Sequence, residues 1–320
     1  MGAPTWIGGY RIDGVLGKGA TAIVYHALSD DGQPVALKVL RERWRQHTEA
    51  VKRLSNEATA LSLVAHPNVV RHVAHGKDSD HGHYLAMELI EGRHLATILA
   101  RDAFLPWLKV AEIVDQASAA LGASHAAGVI HRDVKPANLL VFDPQDGSNI
   151  RVCLIDFGSA RIERRALSKA ALVTLQGVVI GTPNYMSPEH CRDATMVDAR
   201  SDIYSLGVLA YELICGQRPF ISKRDAPIFA MHLAKEPPAL REFNPMLPAA
   251  AERVVLKALS KRPDQRFNSV ETFGWALRRA LLGDTSLPPP PVRTIPPAAH
   301  PAQPPVFNHG EVEFGHTEEE

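Results

Sequence analysis

The sequence predicts an α+β fold in which a small sheet-rich part of about ninety residues precedes a larger helical part. Up to Ile90, short runs rich in β-branched and aromatic residues alternate with turns that contain glycine. After Gly92 the apolar residues recur at helical spacing, as at Val110, Ile113 and Val114. This change of period separates the sheet-rich part from the helical part.

The first part is predicted to contain five strands and one helix. The strands are Tyr10–Leu16, Ile23–Leu28, Val35–Leu40, Val69–Ala74 and Tyr84–Ile90, and the helix is Arg43–Leu63. The second part is predicted to be mainly helical, from Val110 to near Gly128 and over Ile203–Ile214, Ala249–Leu259 and Val270–Leu281. From Asp284 onwards, prolines favour a disordered or polyproline II tail, either passive or bound by a proline-reading partner.

Composition and charge exclude several functional classes. The 320 residues include 35 Lys+Arg and 35 Asp+Glu, a formal net charge of +0. The chain as a whole therefore lacks the positive field with which nucleic-acid-binding proteins attract phosphates, and we expect no nucleic-acid partner. The apolar stretch Ile203–Cys215 contains Glu212 and is too short for a bilayer, so we expect no membrane span. The cysteines are widely spaced and form no C-x-x-C pair, which favours reduced thiols and a cytoplasmic location.

Two features of the first part are suited to holding a phosphate group. Gly17 and Gly19 lie between the first two strands, where backbone N–H groups without a nearby Cβ approach phosphate oxygens closely. Lys38 lies in an apolar strand, and Glu57 on the next helix is its natural partner because an unpaired buried ammonium is costly. Each feature has a plain alternative, since glycines also suit a simple hairpin and a strand lysine also suits an exposed edge.

The centre of the chain carries the residue types that phosphoryl transfer needs. His131–Asn138 reads HRDVKPAN, and Asp156–Gly158 reads DFG. Phosphoryl transfer requires held phosphates, an oriented hydroxyl and neutralised charge more than covalent help from the protein. Asp133 offers a carboxylate for the hydroxyl proton and Lys135 a neighbouring cation, and the two motifs also supply oxygen ligands suited to Mg²⁺.

In this order, the glycine-rich loop, the strand lysine and the two central motifs resemble the bacterial branch of the eukaryotic-type (Hanks-type) serine/threonine protein kinases. The match runs from about Tyr10 to Leu282. The resemblance implies a bilobal protein-kinase fold, with a small antiparallel-sheet N-lobe with one main helix at 1–90, a larger helical C-lobe at 91–283 and a tail at 284–320. It implies transfer of the γ-phosphate of ATP, with Mg²⁺ or alternatively Mn²⁺, to Ser or Thr hydroxyls of protein substrates in signal transduction.

The resemblance also implies a role for each matching residue. The catalytic residues would be Asp133 as the base, Lys135 on the γ-phosphate and Lys38 on the α- and β-phosphates, with Glu57 holding Lys38. The metal ligands would be Asn138 and Asp156. The residues that would bind ATP are Leu16, Gly17, Lys18, Gly19, Ala22, Val24, Ala36, Lys38, Met87, Glu88, Ile90 and Leu140.

Gly181–Glu189, which reads GTPNYMSPE, matches the end of the family's activation segment. Thr182 would position the acceptor hydroxyl, as in serine/threonine kinases. Arg132 is a cation whose charge a phosphorylated activation loop would meet through charge-assisted hydrogen bonds. The candidate sites of this autophosphorylation, expected in a transient homodimer, are Thr174 and Ser168, with ordinary loop hydroxyls as the alternative.

The chain departs from the family pattern in two places, the activation segment and the glycine-rich loop Gly17–Ala22, which we call the phosphate loop. Ala22 replaces the third glycine, and because alanine resists positive φ we expect altered nucleotide affinity. Gln176 stands where relatives carry a second threonine, which puts dual phosphorylation in doubt. Further residues match scaffold positions: Glu189 would pair with Arg266, and Asp202 would hold the catalytic loop through its backbone.

Two rival functions share parts of this pattern. A pseudokinase scaffold usually lacks the lysine, the base or a metal ligand, and this chain retains all of them. A small-molecule phosphotransferase of the aminoglycoside-phosphotransferase kind shares the Asp…Asn…Asp logic but lacks a segment such as Gly181–Glu189. Both rivals predict no phosphate transfer to an unrelated protein.

Two further groups of residues could suggest other sites. The histidines at 72, 75, 81 and 83 favour an exposed polar hairpin over a zinc site, because they fall on a predicted strand pair and its turn. Cys191 favours an inert, half-buried thiol over a redox switch.

Overall fold

A computed structural model describes residues 5–102, 104–143, 150–163 and 183–283. The strands in these ranges are β1 Trp6–Ile7, β2 Tyr10–Lys18, β3 Ala22–Leu28, β4 Pro34–Leu40, β5 His72–Asp78, β6 Gly82–Glu88, β7 Arg93–His94, β8 Val129–Ile130, β9 Leu139–Phe142, β10 Arg151–Leu154 and β11 Arg161–Ile162. The α-helices are α1 Thr48–Leu63, α2 Leu95–Arg101, α3 Trp107–Ala126, α4 Pro188–Arg192, α5 Arg200–Cys215, α6 Asp225–Ala234, α7 Leu240–Phe243, α8 Ala249–Ala258 and α9 Val270–Leu282.

The N-lobe is an antiparallel sheet with the order β1-β2-β3-β4-β6-β5. Along β4, Val35, Leu37 and Val39 are buried on one face, whereas Ala36 and Lys38 are half-buried on the other. This alternation follows from the two-residue period of a strand. The helix α1 is the long helix of this lobe, so the predicted α+β organisation is confirmed.

Three elements of the N-lobe were predicted with wrong boundaries. The helix predicted from Arg43 begins at Thr48, because Glu42–Trp44 form a 3₁₀ turn and His47 is extended (φ −78°, ψ 109°). The strand predicted over Val69–Ala74 is instead His72–Asp78, and its partner is Gly82–Glu88 where Tyr84–Ile90 was predicted.

The shift of β5 has a tertiary cause. Val70 N–H donates to the carbonyl oxygen of Leu154 at 3.0 Å, and Leu154 N–H donates to that of Asn68 at 2.7 Å. These backbone groups therefore bind the C-lobe strand β10 before the chain joins the N-lobe sheet. The apolar run at Val69 and Val70, both 3 % exposed, is buried core but not strand.

The C-lobe is organised around α5, in which Tyr204, Leu206 and Tyr211 are fully buried. The predicted helices in this lobe agree with α3, α5, α8 and α9 to within a few residues. The sequence prediction missed the shorter helices α2, α4, α6 and α7. In the described ranges, no helix combines the length and the apolar character needed to cross a membrane.

Short strands place the functional loops at the surface of the C-lobe that faces the sheet. The segment His131–Asn138 lies between β8 and β9, and Asp156–Gly158 lies between β10 and β11. β9 pairs with β10 and β8 pairs with β11, all antiparallel, so the two loops are drawn together. The two central sequence motifs are thus neighbours because of the strand pairing.

Candidate active site

A half-buried lysine and two carboxylates join the lobes. Lys38 Nζ lies 2.7 Å from each Glu57 oxygen and 3.1 Å from Asp156 Oδ1. Burial disfavours the ammonium, but the charges of Glu57 and Asp156 outweigh it and raise the pKa of Lys38 above its usual value. Lys38 is therefore a permanent cation between helix α1 and the loop after β10.

Asp133, Lys135 and Asn138 form a second cluster on the loop between β8 and β9. Lys135 Nζ donates to Asp133 Oδ2 at 2.6 Å, and Asn138 Nδ2 donates to the same oxygen at 3.1 Å and to the Asp133 carbonyl oxygen at 2.8 Å. Side-chain exposure is 10 % for Asp133 and 22 % for Lys135. The loop therefore presents an oriented carboxylate with a cation beside it.

The backbone of this loop is held by one buried carboxylate. Asp202 accepts hydrogen bonds from the N–H groups of His131 at 2.9 Å and Arg132 at 2.8 Å, and lies 2.7 Å from His125 Nε2. Arg132 has φ +67° and Asp156 has φ +65°, in the left-handed region that non-glycine residues rarely adopt. Asp202 offsets the strain at Arg132, in agreement with the role expected from the sequence.

Sequence reasoning missed His125, which is separated from Asp202 by 77 residues. Burial works against the Asp202 carboxylate, but its hydrogen bond and charge interaction with His125 outweigh burial and lower the pKa of Asp202. No motif contains His125, and its place in the last turn of α3 resembles that of any polar residue at a helix end. Only the packing of α3 against α5 reveals its partner.

Aromatic packing connects the two central motifs. The rings of His131 and Phe157 meet edge to face with centroids 4.8 Å apart, and both residues are 0 % exposed. Phe157 belongs to the same buried cluster as Leu61 on α1. Through Phe157, the two central motifs therefore share one buried core with helix α1.

The residues expected to bind the nucleotide lie along the sheet and the strand that faces it. Met87 on β6 is opposite Ala36 on β4, and Glu88 is opposite Val35. Val24 is opposite Lys38. The side chains of the residues expected to bind the nucleotide differ in exposure. Leu16 is 51 % exposed and Met87 is 8 % exposed, and the half-buried members are Val24, Ala36, Ile90 and Leu140.

Ala22 is accommodated in the phosphate loop without backbone strain. It is the first residue of β3, opposite Leu40, and its side chain is 5 % exposed in the core of the lobe. Among the described residues, positive φ outside glycine occurs at Arg132 and Asp156, and not at Ala22. The concern that alanine would resist a left-handed conformation does not apply, because Ala22 does not adopt one.

Arg132 lies next to Asp133 in the sequence, with the guanidinium of Arg161 nearby. Its Nη2 donates to the Ala194 carbonyl oxygen at 2.9 Å, and its Nε is buried without a hydrogen-bond partner in the described part of the chain. Burial and the nearby charge of Arg161 lower the pKa of Arg132. An anion would therefore be stabilised here. The predicted residues Ser168, Thr174 and Thr182 lie outside the described residues.

The two rival sites considered from the sequence receive no support. His72 Nε2 lies 3.0 Å from His75 Nδ1, but no group of three or more metal-ligating side chains occurs among the residues that the structure describes. Burial raises the pKa of the Cys191 thiol to about 12, so it is a poor nucleophile. This is the inert thiol that the sequence favoured.

Two buried histidines predict an acid-sensitive stability. His190 and His232 are 2 % and 0 % exposed, and burial lowers the pKa of each to about 4. Below pH 6.5 the unfolded chain gains protons on both rings and the folded chain does not. The folded state therefore keeps its full stability from these histidines above pH 6.5 and loses it as the pH falls toward 4. We expect each histidine to contribute about 3 kcal/mol to this fall.

The check is urea unfolding of the wild type, His190→Gln and His232→Gln at pH values from 7.5 to 4.5. Each variant should lose less stability than the wild type over this interval, because its unfolded chain takes up one proton fewer than the unfolded wild type does. Variant His47→Gln, at an exposed position, is the control and should follow the wild type. Parallel curves for all four proteins would refute the prediction.

The two lobes and the lysine, carboxylate and amide groups between them define a protein kinase domain. The chain belongs to the protein kinase domain family, whose model matches residues 10–274. This confirms the resemblance inferred from the motifs. Members of this family use ATP together with a divalent metal ion.

Several bacterial proteins are similar to this chain. Serine/threonine-protein kinase pkn3 of Myxococcus xanthus is 40 % identical over 268 residues, which are 82 % of this chain and 48 % of the relative. PrkC of Bacillus subtilis is 33 % identical over 87 % of this chain and 41 % of its own length. PknA of Mycobacterium tuberculosis is 33 % identical over 92 % of this chain and 65 % of its own length. The chain thus spans about half the length of these relatives.

A solved structure agrees with the fold. The kinase domain of PknI from Mycobacterium tuberculosis superposes with a TM-score of 0.66 at 26 % identity, covering 88 % of this chain and 99 % of that domain. The bilobal fold class predicted from the sequence is therefore confirmed.

Proposed function

We propose that this chain is a protein-serine/threonine kinase, a transferase that moves the γ-phosphate of Mg-ATP to Ser or Thr hydroxyls of proteins. The observation that carries the proposal is the pair of clusters described above. Lys38 binds Glu57 and Asp156, and Asp133 binds Lys135 and Asn138. Together they supply a fixed cation, an oriented base and two oxygen ligands, which are the parts that phosphoryl transfer requires.

The donor set at the junction of these clusters fits magnesium. The amide nitrogen of Asn138 is used on Asp133, so its amide oxygen is the atom left for a cation. Burial opposes the Asp156 anion, but Lys38 and the Gly158 N–H outweigh it and hold the pKa of Asp156 well below its usual range. Asn138 and Asp156 would hold Mg²⁺, which when bound neutralises charge on the phosphates. Hard oxygen ligands also accept Mn²⁺.

Asp133 acts as the base in the proposed reaction. Its carboxylate accepts the hydroxyl proton while the serine or threonine oxygen bonds to the γ-phosphorus, and the bond from that phosphorus to the bridging oxygen of ADP breaks. Lys135, held 2.6 Å from Asp133, steadies the γ-phosphate. Lys38 binds the α- and β-phosphates, and Glu57 keeps Lys38 in place.

The nucleotide occupies the cleft below β2, β3 and β4 in this proposal. The backbone of Gly17–Ala22 covers the phosphates, with Leu16 at the start of this loop. Val24 and Ala36 pack on one face of the adenine and Leu140 on the other. Met87 limits the depth of the pocket, and the backbone from Glu88 to Ile90 reads the adenine edge.

Autophosphorylation at Thr174 is the proposed activating step, with Ser168 as the second candidate and Thr182 positioning the acceptor. The support is the environment of Arg132, whose buried Nε has no hydrogen-bond partner within the described ranges and which has a second guanidinium, that of Arg161, nearby. A phosphate group on the activation segment would meet this charge. A transient homodimer would bring one activation segment to the other active site.

The partners in this proposal are protein substrates, and no nucleic acid is involved. The balanced charge of the chain, 35 Lys+Arg against 35 Asp+Glu, supports this choice. The three described thiols have pKa values raised by burial to about 12, which suits a reducing, cytoplasmic location.

The test is phosphate incorporation from Mg-ATP into the protein itself and into a generic basic acceptor protein. We expect label on Ser and Thr in the wild type, with Thr174 among the sites mapped by mass spectrometry, and little label in Asp156→Ala. The exposed Asp264 provides a matched control, because Asp264→Ala also removes a carboxylate and should label normally.

Each contrary result has a defined meaning. A folded wild type that binds ATP but transfers no phosphate would support a pseudokinase. Transfer to an aminoglycoside but to no protein would support a small-molecule phosphotransferase. An active enzyme without phosphate anywhere in 159–182 would contradict autophosphorylation at Thr174.

A further inference from the structure

The tip of the phosphate loop, Ala20 and Thr21, is hydrogen-bonded to the segment that links β4 to α1. The carbonyl oxygen of Thr21 accepts a hydrogen bond from the Arg41 N–H at 2.9 Å. The carbonyl oxygen of Ala20 accepts one from Arg43 Nη2 at 3.3 Å. Two successive carbonyl oxygens at the tip are therefore occupied by donors from outside the loop.

These bonds orient the peptide units of the tip. A trans peptide unit directs its carbonyl oxygen and its N–H to opposite sides. Because the Ala20 carbonyl is turned toward Arg43, the Thr21 N–H in the same peptide unit is turned away from Arg43. Within the described ranges, the N–H groups of Ala20 and Thr21 donate no hydrogen bond. Successive free N–H groups at a turn form an anion-binding arrangement.

The exposed side chain of Arg43 lies beside an aromatic ring. Its guanidinium lies 5.8 Å from the centroid of the Trp44 ring, and Trp44 packs against the core of the domain. Both residues belong to the 3₁₀ turn Glu42–Trp44, which leads into the helix that carries Glu57. The loop tip is thus connected through Arg43 to the element that holds Lys38.

Ala22 limits where the loop can adjust. Its backbone is fixed in β3 and its Cβ is buried, so this end of the loop has no glycine freedom. Gly19 N–H donates to the Ala22 carbonyl oxygen at 2.9 Å and closes the turn. The peptide units that remain adjustable are those at Ala20 and Thr21, where Arg41 and Arg43 bind.

We propose that Arg43 is a positioning residue for the phosphate loop. It holds the Ala20 carbonyl oxygen away from the cleft, so that the Thr21 N–H is directed at the terminal phosphates of ATP. This inference rests on the proposed nucleotide site. It predicts that Arg43 strengthens the binding of a nucleotide through its phosphates and adds nothing to the binding of the nucleoside.

The experiment is calorimetric titration of the full chain with ATP in Mg²⁺ and, separately, with adenosine. We expect Arg43→Ala to raise the Kd of ATP about three- to tenfold, as for the loss of one hydrogen bond of ordinary strength, and to leave the Kd of adenosine unchanged. Arg53→Ala is the matched control, since it removes an exposed arginine from the same lobe and should leave both Kd values unchanged.

The salt dependence of ATP binding distinguishes a hydrogen bond made by Arg43 from a general attraction between its charge and the phosphates. Exposed charges separated by more than about 10 Å are largely screened at 0.1 M salt and more strongly at higher salt. The difference between Arg43→Ala and the wild type should therefore persist at 0.5 M salt. Equal ATP affinities for the two proteins, an equal loss for adenosine, or a difference that disappears in salt would each overturn the inference.

The test does not depend on phosphoryl transfer. If the wild type transfers no phosphate but Arg43→Ala selectively loses ATP affinity, the role of Arg43 stands and the proposed kinase activity fails. If the wild type is an active kinase and Arg43→Ala binds ATP normally, the activity stands and the role of Arg43 fails.

Discussion

Replacing Asp133 by asparagine is expected to lower the rate of phosphoryl transfer by about 10²–10⁴, or roughly 3–5 kcal/mol of transition-state stabilisation. The reason is the geometry of its carboxylate, which Lys135 at 2.6 Å and Asn138 at 3.1 Å hold in one orientation. An amide of the same shape keeps an acceptor for these donors but has little tendency to take the hydroxyl proton. The affinity for ATP should change little, since Lys38 and its partners remain.

The measurement is a single-turnover rate with a protein acceptor, together with the Kd of ATP for each protein. Asp143→Asn is a suitable control because Asp143 also pairs with a lysine at 2.6 Å, that of Lys109, on the C-lobe away from the base. It should transfer phosphate at the wild-type rate. An Asp133→Asn protein within tenfold of the wild type would mean that another group accepts the proton.

The chemistry of the candidate site could be predicted because it depends on residue types at short spacing. HRDVKPAN and DFG each carry their functional groups within one loop, and the structure brings these loops together through two antiparallel strand pairs. Long helices such as α3 and α9 were predictable for a similar reason, since their apolar period extends over several turns.

The errors fall where contacts between distant segments decide the local structure. Helix α1 begins five residues later than predicted because the segment from Arg41 binds the phosphate loop and forms turns before it becomes helical. β5 begins later because Val70 first bonds to Leu154 in the other lobe. Neither partner is visible from local sequence, and the same holds for His125 and Asp202.

The buried ion pair of Arg266 and Glu189 is expected to be the most sensitive element for stability. Arg266 donates from Nη1 and Nη2 to the two Glu189 oxygens at 2.7 and 2.8 Å. It also donates to the carbonyl oxygens of Arg200 and Ser260, each at 2.9 Å. The Arg266 side chain is 0 % exposed and that of Glu189 is 12 % exposed. Burial disfavours the Glu189 carboxylate, yet Arg266 outweighs burial and lowers its pKa.

Arg266→Ala should therefore lower the free energy of unfolding by about 3–5 kcal/mol, because it leaves a buried carboxylate without its counter-charge and two carbonyl oxygens without their donor. The double variant Arg266→Met with Glu189→Leu should lose less than the two single changes added together, since it removes both charges at once. Arg262→Ala is the control, because Arg262 binds Asp264 through two similar bonds at an exposed position and should cause no measurable change. Urea unfolding of six proteins measures these differences: the wild type, Arg266→Ala, Arg266→Met, Glu189→Leu, the double variant and Arg262→Ala. If Arg266→Ala unfolded at the same urea concentration as Arg262→Ala, the prediction would be wrong. The ion pair of Arg266 and Glu189 would then not stabilise the packing of α4 against the turn before α9.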